Sequence, residues 1–427
     1  MMRAVHRPSL IHVAALQCAL VALACATPDA DGSAAGIRDS AGIRIVDNAV
    51  GVADTCLVSP TPELDLGTVE GPTEYQFHRV FDAATMSDGR IAVVDQGSSQ
   101  IRIFSGDGTF ERAFGSEGGG PGEFRNVFQL WVTAGDTLLV ADYRPYRFSI
   151  FTPEGEFVRV VEPDPMYPNT PESVAPLADG TVVISEECCP FNGEPGEWQE
   201  TEQHVVHHAA DGSLIDTLAV LPNGRHGWLD IEIRLGGAPL FEASSRVAAA
   251  GRRLIVGPGT ERELEVYELA PGDPTETGDR REPIDMSRPV GLIRWTGPDL
   301  GVTPAHVEAY RAAELARYAE VDNPQFRRAG EALASEERPV AERFPAHASI
   351  RLGVEGDVWV RDYPRPAEDD PGWLVFDAEG RFECRAWLPF ENSWDAYEIG
   401  PDYVLGKVQD ELDVEHVRRY PLTRPSS

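Results

Sequence analysis

The chain has 427 residues, 42% of them hydrophobic, and its 37 basic and 70 acidic residues give a formal net charge of -33 at pH 7. This composition indicates a folded chain with a core and excludes a disordered one, and the length suffices for two average domains or for one closed repeat protein. The negative field opposes binding to nucleic acids and to anionic lipid, so we expect no nucleic-acid partner.

The first predicted element is a signal peptide, residues 1–24. Arg3 and Arg7 precede an apolar run, Leu10–Leu23, that is too short for a typical membrane span and typical of a signal-peptide core. The run ends in the letters ALAC, which resemble a bacterial lipobox although leucine is more usual than alanine three residues before the cysteine. The resemblance implies that Cys25 is lipid-modified and becomes the N-terminus. Ordinary cleavage after Ala26 is the alternative, and either route exports the protein.

A stretch of small and polar residues, 25–41, is predicted to be a flexible tether. Beyond it, a unit of short alternating strands separated by acid-Gly turns begins at Asp88 and repeats from Gly135, with further copies near residues 179, 251, 356 and 400. The turn glycines supply the positive φ that hairpins need. A strand-turn-strand unit that recurs at roughly 45 residues cannot bury its faces alone and must stack on copies of itself.

The first copy reads VVDQGSSQIRIF, then GDGTFERAFG, then Gly-Pro-Gly-Glu-Phe, and it resembles an NHL repeat. The whole chain resembles the six-bladed β-propeller proteins with NHL-type repeats that occur as bacterial envelope lipoproteins. The resemblance implies an all-β fold, a single propeller over residues 42–423 with six blades of four strands each.

Closure of the ring is predicted from the two ends of this domain. The segment Leu64–Phe77 echoes the outer strand and crossover Ala113–Phe124, although no inner strands precede it. The C-terminal unit, Trp394–Leu422, has inner strands and lacks a clear outer one. Pairing the two would remove the open edges of the ring. Gly42–Val46 is an alternative closing strand.

One segment departs from the strand pattern. Thr303–Val321 begins with a Thr cap and a Pro in the first turn and is rich in Ala, Glu and Arg, which predicts a helix. A second helical segment starts at Phe326. We expect a helical insertion at about 303–345, between blades 4 and 5.

The repeat also assigns the long irregular segments to one face of the ring. Loops between second and third strands, and crossovers between blades, lie on what we name the upper face. The segments 115–124, 186–203, 221–240, 296–345 and 363–372 fall there, and only 271–289 falls below. Elaborated loops on a rigid scaffold are typical of binding sites.

Two groups of residues are candidates for ligand binding at this face. The first residues of the inner strands would ring the channel, and the upper loops would add polar side chains around its mouth. The inner-strand candidates are His78, Arg79, Arg125, Asn126, Glu172, Glu242, His347 and Asp395, and the loop candidates are Tyr143, Arg144, Arg147, Arg361 and Asp362, with Asp142 and Tyr363 beside them. A ring of mixed charge suits a polar small molecule, a peptide or an envelope protein.

Metal-dependent catalysis is the main alternative. Resemblance to amidating lyases with NHL-type repeats implies a metal held by channel histidines, for which His78 and His347 are the candidates. Resemblance to six-bladed calcium-dependent lactonases implies a set of oxygen ligands, which suits calcium. Residues of matching type are Glu172, Glu242, Asn126 and Asp395. Arg79 and Arg125 oppose a buried cation, so we expect no cofactor, with calcium as the alternative.

Two further clusters carry chemistry. His204, His207 and His208 lie on a third strand, away from the axis, and are predicted to form a partly exposed strand face rather than a metal site. Four cysteines follow the signal peptide and Cys25: Cys56, Cys188, Cys189 and Cys384. Because adjacent cysteines rarely pair, a bond from one of the adjacent pair to a distant partner is expected, and the pairing stays open.

The sequence therefore predicts a monomeric, non-catalytic binding protein of the cell envelope. It contacts the membrane only through lipid on Cys25 and faces the periplasm or the cell surface; a soluble secreted or periplasmic form is the alternative. Two alternative functions stay open: a metal-dependent propeller hydrolase or lyase, and a structural or assembly factor of the envelope. The sequence has no G-x-S-x-G, H-E-x-x-H or phosphate-loop motif.

Overall fold

The computed structural model describes residues 36–50, 55–143, 146–164, 171–177, 180–188, 193–194, 196–269 and 288–425. The predicted signal peptide, Cys25, Arg144 and Cys189 lie outside these residues, as do the side chains of Glu172 and Cys188.

Antiparallel strands dominate the described residues. In chain order they are β1 (Gly36–Ser40), β2 (Ile43–Asn48), β3 (Thr55–Val58), β4 (Leu64–Leu66), β5 (Val80–Thr85), β6 (Ile91–Asp95), β7 (Gln100–Phe104), β8 (Phe110–Phe114), β9 (Val127–Val132), β10 (Leu138–Asp142), β11 (Arg147–Phe151), β12 (Phe157–Val161), β13 (Pro171–Pro176), β14 (Val182–Cys188), β15 (Trp198–His208), β16 (Leu214–Asp230), β17 (Leu235–Gly237), β18 (Arg246–Ala250), β19 (Arg253–Gly257), β20 (Glu263–Glu268), β21 (Gly291–Trp295), β22 (Ser349–Leu352), β23 (Val358–Arg361), β24 (Trp373–Phe376), β25 (Phe382–Ala386), β26 (Ala396–Ile399), β27 (Tyr403–Gln409) and β28 (Glu415–Thr423). The helices are α1 (Pro304–Ala319) and α2 (Pro324–Leu333).

The strands form four-stranded meanders that stack face to face. The first, β5–β8, and the second, β9–β12, each run in chain order from inner to outer strand. Their second strands, β6 and β10, are buried along their whole length, because a neighbouring meander covers each face. One apolar cluster joins the two and includes Val94, Ile103, Leu138 and Phe151. The repeat therefore buries its faces as stacked copies, as predicted.

The third meander, β13–β16, is extended by a long ribbon. β15 and β16 pair from His208 and Leu214 at the turn to Trp198 and Gly227 at the far end. Residues 221–230, predicted to be part of an irregular crossover, are therefore strand. Gly227 permits this pairing, because an added Cβ would lie 2.9 Å from the Trp198 ring.

The fourth meander, β18–β21, receives the N-terminal strands. β2 adds to β21 in parallel, with Ile45 opposite Leu292, and β1 pairs with β2. The alternative closing strand Gly42–Val46 is therefore an addition to this sheet. The predicted tether, residues 25–41, also overlaps β1, since Gly36–Ser40 continues the hairpin that β2 anchors through its buried residues.

The fifth meander, β22–β25, and the C-terminal strands β26–β28 share one sheet. β3 lies between them, parallel to β25 and antiparallel to β28. β4 pairs with β28, with Leu66 opposite Val417, which is the predicted pairing of the two chain ends. An apolar cluster then packs these strands on the first meander through Leu66, Val417, Val93 and Phe104.

A disulfide, Cys56–Cys384, joins β3 to β25. The sequence points to one of the adjacent cysteines as the partner of a distant one. The observed bond instead links the two single cysteines, because the parallel pairing of β3 and β25 places Cys56 opposite Ala386, two residues from Cys384.

The predicted helices are observed after β21. The Thr303 hydroxyl accepts a hydrogen bond from His306 N at 3.4 Å, and His306 Nδ1 accepts one from Thr303 N at 3.1 Å, so α1 begins with a closed cap. A small apolar cluster that includes Phe241, Tyr310 and Phe344 holds the insertion to the adjoining loops. Neither described helix has the length and apolar character that crossing a membrane requires.

Candidate functional site

An acid at the end of the second strand fixes the entry to each of the first two inner strands. Asp95 Oδ1 accepts a hydrogen bond from His78 N at 3.0 Å, and Asp142 Oδ1 accepts one from Asn126 N at 2.6 Å. Asp142 also accepts from Arg125 N at 3.1 Å. Each carboxylate thus accepts hydrogen bonds from crossover N–H groups that have no backbone partner.

An arginine from the third strand completes each of these sites. Arg147 Nη2 lies 3.1 Å from Asp142 Oδ2 and 2.9 Å from the Glu123 carbonyl oxygen. Asp142 is 0% and Arg147 6% exposed. Arg102 occupies the same position beside Asp95. Arg147 was a candidate ligand-binding residue; the structure instead shows that it holds the crossover, because it is buried by the loop it binds.

The other candidates of the first two meanders lie on the surface. His78, Arg79, Arg125 and Asn126 are exposed at the ends of the crossovers. Arg79 Cζ lies 6.0 Å from the Phe81 ring centroid, and Asn126 Nδ2 donates to the Tyr143 carbonyl oxygen at 3.1 Å. These four side chains remain accessible to a ligand.

Charged side chains of the later inner strands are engaged with one another. Asp395 is buried, with Oδ1 at 3.4 Å from Lys407 Nζ, and the same ammonium lies 3.6 Å from Glu415 Oε1. Arg351 donates to the Ser393 carbonyl oxygen from Nη2 at 2.8 Å. This arrangement is a salt-bridge network between strands.

Glu242 forms a bidentate ion pair with Arg225. Arg225 Nε and Nη2 each lie 2.8 Å from one of its carboxylate oxygens. Burial acts to raise the pKa of Glu242, but the hydrogen bonds from Arg225 outweigh it and hold the pKa below its usual value. Glu242 therefore stays ionised and already has a cationic partner.

His347 is 2% exposed and lies against Gly257, where an added Cβ would sit 2.6 Å from Nε2. Burial, with a smaller contribution from the charge of Arg246, lowers the pKa of His347 to about 4. The ring is therefore neutral at physiological pH, and neither ring nitrogen has a hydrogen-bond partner among the described residues.

The described candidates do not fit a calcium or zinc site. A cation already faces three of the proposed ligands: Arg225 at Glu242, Lys407 at Asp395 and Arg246 near His347. Within the described ranges, no three His, Cys, Asp or Glu side chains are grouped as metal ligands.

The histidine cluster on β15 is more buried than predicted. His207 and His208 are 6% and 1% exposed. His207 Nε2 shares a hydrogen bond of 2.7 Å with Thr181 Oγ1, and His208 Nδ1 donates to the Gly212 carbonyl oxygen at 3.0 Å. They are core histidines, because the stacked meanders cover both faces of the third strand.

Two predicted upper segments, 296–345 and 363–372, meet in a cleft of about 50 Å³. The insertion contributes Leu300 and Pro345, and the loop after β23 contributes Tyr363 and Arg365. Phe344 and Tyr363 stack beside it, with ring centroids 5.7 Å apart. Segments that are distant in sequence thus form one concave surface, the cleft.

Of the candidate residues, Asp362 and Tyr363 line this cleft, and Arg361 directly precedes them in the chain. Asp362 Oδ2 lies 3.2 Å from Arg385 Nη1, and Arg361 Nη1 lies 2.6 Å from Asp370 Oδ1. Burial raises the pKa of Asp362, although Arg385 acts to lower it. The structure does not place His78, Arg79, Arg125 or Asn126 among the residues that line the cleft.

Arg262 also lines the cleft, although no sequence pattern singles it out. It lies in the short connection between β19 and β20, a second-to-third-strand loop that the repeat itself assigns to the upper face. The signal was present, but the loop is too short to stand out as an insertion.

Comparison with known proteins is consistent with the architecture. Residues 79–145 match the model of a family described as a 6-bladed beta-propeller. The stacked meanders and this match identify a β-propeller. No curated protein is similar enough to count as a match.

Three solved structures illustrate the distant likeness. A Bacteroides fragilis protein whose export is inferred is 11% identical over 90% of this chain and 100% of its own, with a TM-score of 0.44. The calcium-binding protein regucalcin of Agrobacterium tumefaciens is 9% identical over 82% of this chain and 94% of its own, with a TM-score of 0.37. A streptogramin B lyase is 10% identical over 85% and 97%, with a TM-score of 0.37. Likeness this distant carries no argument about activity.

Proposed function

We propose that the protein is a non-catalytic binding protein of the bacterial cell envelope that takes a small polar molecule at its upper face. In this proposal the meanders are the six blades of one ring with NHL-type repeats, and the helical insertion lies between the fourth and fifth. Residues 1–24 export the chain, and lipid on Cys25 holds the monomer at the membrane.

The observation that carries the proposal is the cleft. Long loops on one face of a rigid ring are a usual place for binding. Here two of them, together with Arg262, enclose a concave surface with both aromatic and charged walls. Its volume suits one functional group of a ligand, with the remainder of the molecule lying over the rim formed by Arg365 and Glu368.

The proposal is tested by a thermal-shift screen of the mature protein against a defined panel of amino acids, short peptides, sugars and organic acids. We expect compounds that raise the melting temperature, and we expect Tyr363→Ala to abolish those shifts because it removes a wall of the cleft. The matched control is Tyr318→Ala, which removes a half-buried tyrosine of α1 that does not line the cleft. Shifts that persist in Tyr363→Ala, or a panel that produces none, would contradict the proposal.

A further inference from the structure

Arg262 is held at the cleft by backbone groups. Its Nη2 donates to the Pro298 carbonyl oxygen, and its guanidinium lies over Gly297, where an added Cβ would be 2.6 Å from Nε. Nε is buried and has no hydrogen-bond partner among the described residues. A guanidinium carries five N–H donors in a fixed plane. The Arg262 guanidinium is therefore held in place while its Nε–H donor has no partner among the described residues.

Two of the three acidic residues that line the cleft have other partners. Arg385 binds Asp362 at 3.2 Å, and Glu368 lies 3.4 Å from His306 Nε2. Arg365 stacks over the Phe344 ring at 5.4 Å and lies 3.8 Å from Glu368. Among the described residues Arg262 forms no ion pair of its own, although the charges of Asp362 and Asp299 act on it.

Two further buried polar groups lie beside Arg262. Trp295 N donates to the Arg262 carbonyl oxygen at 3.2 Å, and the Trp295 ring is 6.5 Å from that of His347. His347 directly follows Ala346, which lines the cleft. Trp295 Nε1 and both His347 nitrogens have no partner among the described residues. Unsatisfied buried polar groups are costly in native proteins, so these three atoms next to the cleft would gain from a bound polar group or water.

The chemistry of the cleft favours a carboxylate as the ligand group. The planar fork of an arginine matches a carboxylate or a phosphate. Asp362, Glu368 and Asp369 line the same cleft and would repel a dianionic phosphate more strongly than a monoanion. A volume of about 50 Å³ also accommodates a group of a few atoms rather than a whole metabolite.

We propose that the cleft binds the carboxylate of its ligand through Arg262, with Trp295 and His347 as further polar groups behind the residues that line it. This rests on the function proposed above and names the ligand class of the same cleft. A free carboxylic acid and the C-terminus of a peptide present the same chemistry, and the experiment separates them.

The test is saturation-transfer NMR on the mature protein with three observed probes: propionate and an N-acetylated dialanine with either a free or an amidated C-terminus. Inorganic phosphate has no carbon-bound protons, so its binding is measured by its displacement of propionate. We expect propionate to bind and phosphate to bind more weakly. We expect Arg262→Gln to weaken propionate binding at least about tenfold, because a charge-assisted pair is lost. Tighter binding of the free-acid dipeptide than of propionate would assign the site to peptide ends, and the reverse to free acids.

The matched control is Arg112→Gln. Arg112 is half-buried and, like Arg262, donates to a backbone carbonyl oxygen, that of Glu154 at 3.1 Å. We expect this variant to bind propionate as the wild type does. The imidazole resonances of His347 give a second readout: propionate should shift them in the wild type and not in Arg262→Gln.

Unchanged propionate binding in Arg262→Gln, or tighter binding of phosphate, would overturn the carboxylate assignment. The two proposals fail differently. If the thermal-shift panel yields ligands that depend on Tyr363 but no carboxylate binds, the ligand class is wrong and the binding function stands. If neither experiment detects a ligand, both are wrong.

Discussion

Asp82 Oδ2 accepts a hydrogen bond from Leu130 N at 2.9 Å, so a carboxylate on the innermost strand of the first meander holds the innermost strand of the second. Glu398 makes the corresponding link from β26, since its Oε2 accepts from Thr85 N at 3.0 Å. Neighbouring meanders are therefore joined at the axis by carboxylates as well as by apolar packing.

This position makes Asp82 a source of pH dependence. Burial raises the pKa of Asp82 to about 7, although its backbone hydrogen bonds act to lower it. Between about pH 4 and 7 the folded chain keeps a proton that the unfolded chain has released, so this group makes the protein less stable as the pH rises. We expect Asp82→Asn to gain stability relative to the wild type over this window, measured by urea unfolding at several pH values.

Asp107→Asn is the control for that series. Asp107 is exposed, and a hydrogen bond from Ser105 lowers its pKa. Its contribution to stability is present above its ordinary pKa and is lost as the pH falls, so this variant should lose stability relative to the wild type as the pH rises. Equal pH dependence in both variants would show that Asp82 does not hold a proton in the folded chain.

Arg147→Met should destabilise the fold. It leaves the buried Asp142 without its charged partner, and breaking one side of a buried pair typically costs about 3–5 kcal/mol. The measurement is the urea midpoint of unfolding. Arg112→Met, at a half-buried surface arginine that forms no ion pair among the described residues, should change the free energy of unfolding by no more than about 0.5 kcal/mol. An unchanged midpoint in Arg147→Met would contradict the structural role of Arg147 and favour a role in ligand binding.

Replacing both Cys56 and Cys384 by Ser should lower stability by about 2–5 kcal/mol. The bond joins residues 328 apart in sequence, and its loss frees β3 from β25. Reductant should reproduce the loss in the wild type and have no further effect on the double variant. If reduction leaves the urea midpoint of the wild type unchanged, the bond is not formed or does not constrain the unfolded chain.

Cys25→Ser should release the protein from the membrane fraction. The reason is that stable anchoring needs acyl chains on the protein, and the change removes the proposed attachment site. Fractionation and mass spectrometry of the N-terminal peptide measure both effects, with Cys188→Ser as the control. An unmodified N-terminus beginning at Thr27 in the wild type would support ordinary secretion instead.

Much of the architecture could be predicted because its signals are local. The turn glycines and the apolar second strands, such as Ile91–Asp95, depend only on neighbouring residues and on the need to stack. The pairing of Leu64–Leu66 with the C-terminal strands could also be predicted. The N-terminal segment has no inner strands before it, and the C-terminal unit has no clear outer strand.

Other features depend on contacts that a sequence pattern does not contain. Residues 221–230 include Pro222, Asn223 and Gly224, which are turn signals, yet pairing with β15 makes them strand. Arg147 and Asp142 looked like an exposed polar pair because the crossover that buries them is some twenty residues earlier in the chain. Arg262 became a candidate only when the fold brought its short loop next to the helical insertion.

The pairing of Leu66 with Val417 also governs when this protein can finish folding. Strands this far apart in sequence are slow to find each other. β4 therefore remains an unpaired edge until β28 is available to pair with it. During that interval the chain exposes an aggregation-prone strand, and a truncation of the last strand would make that state permanent.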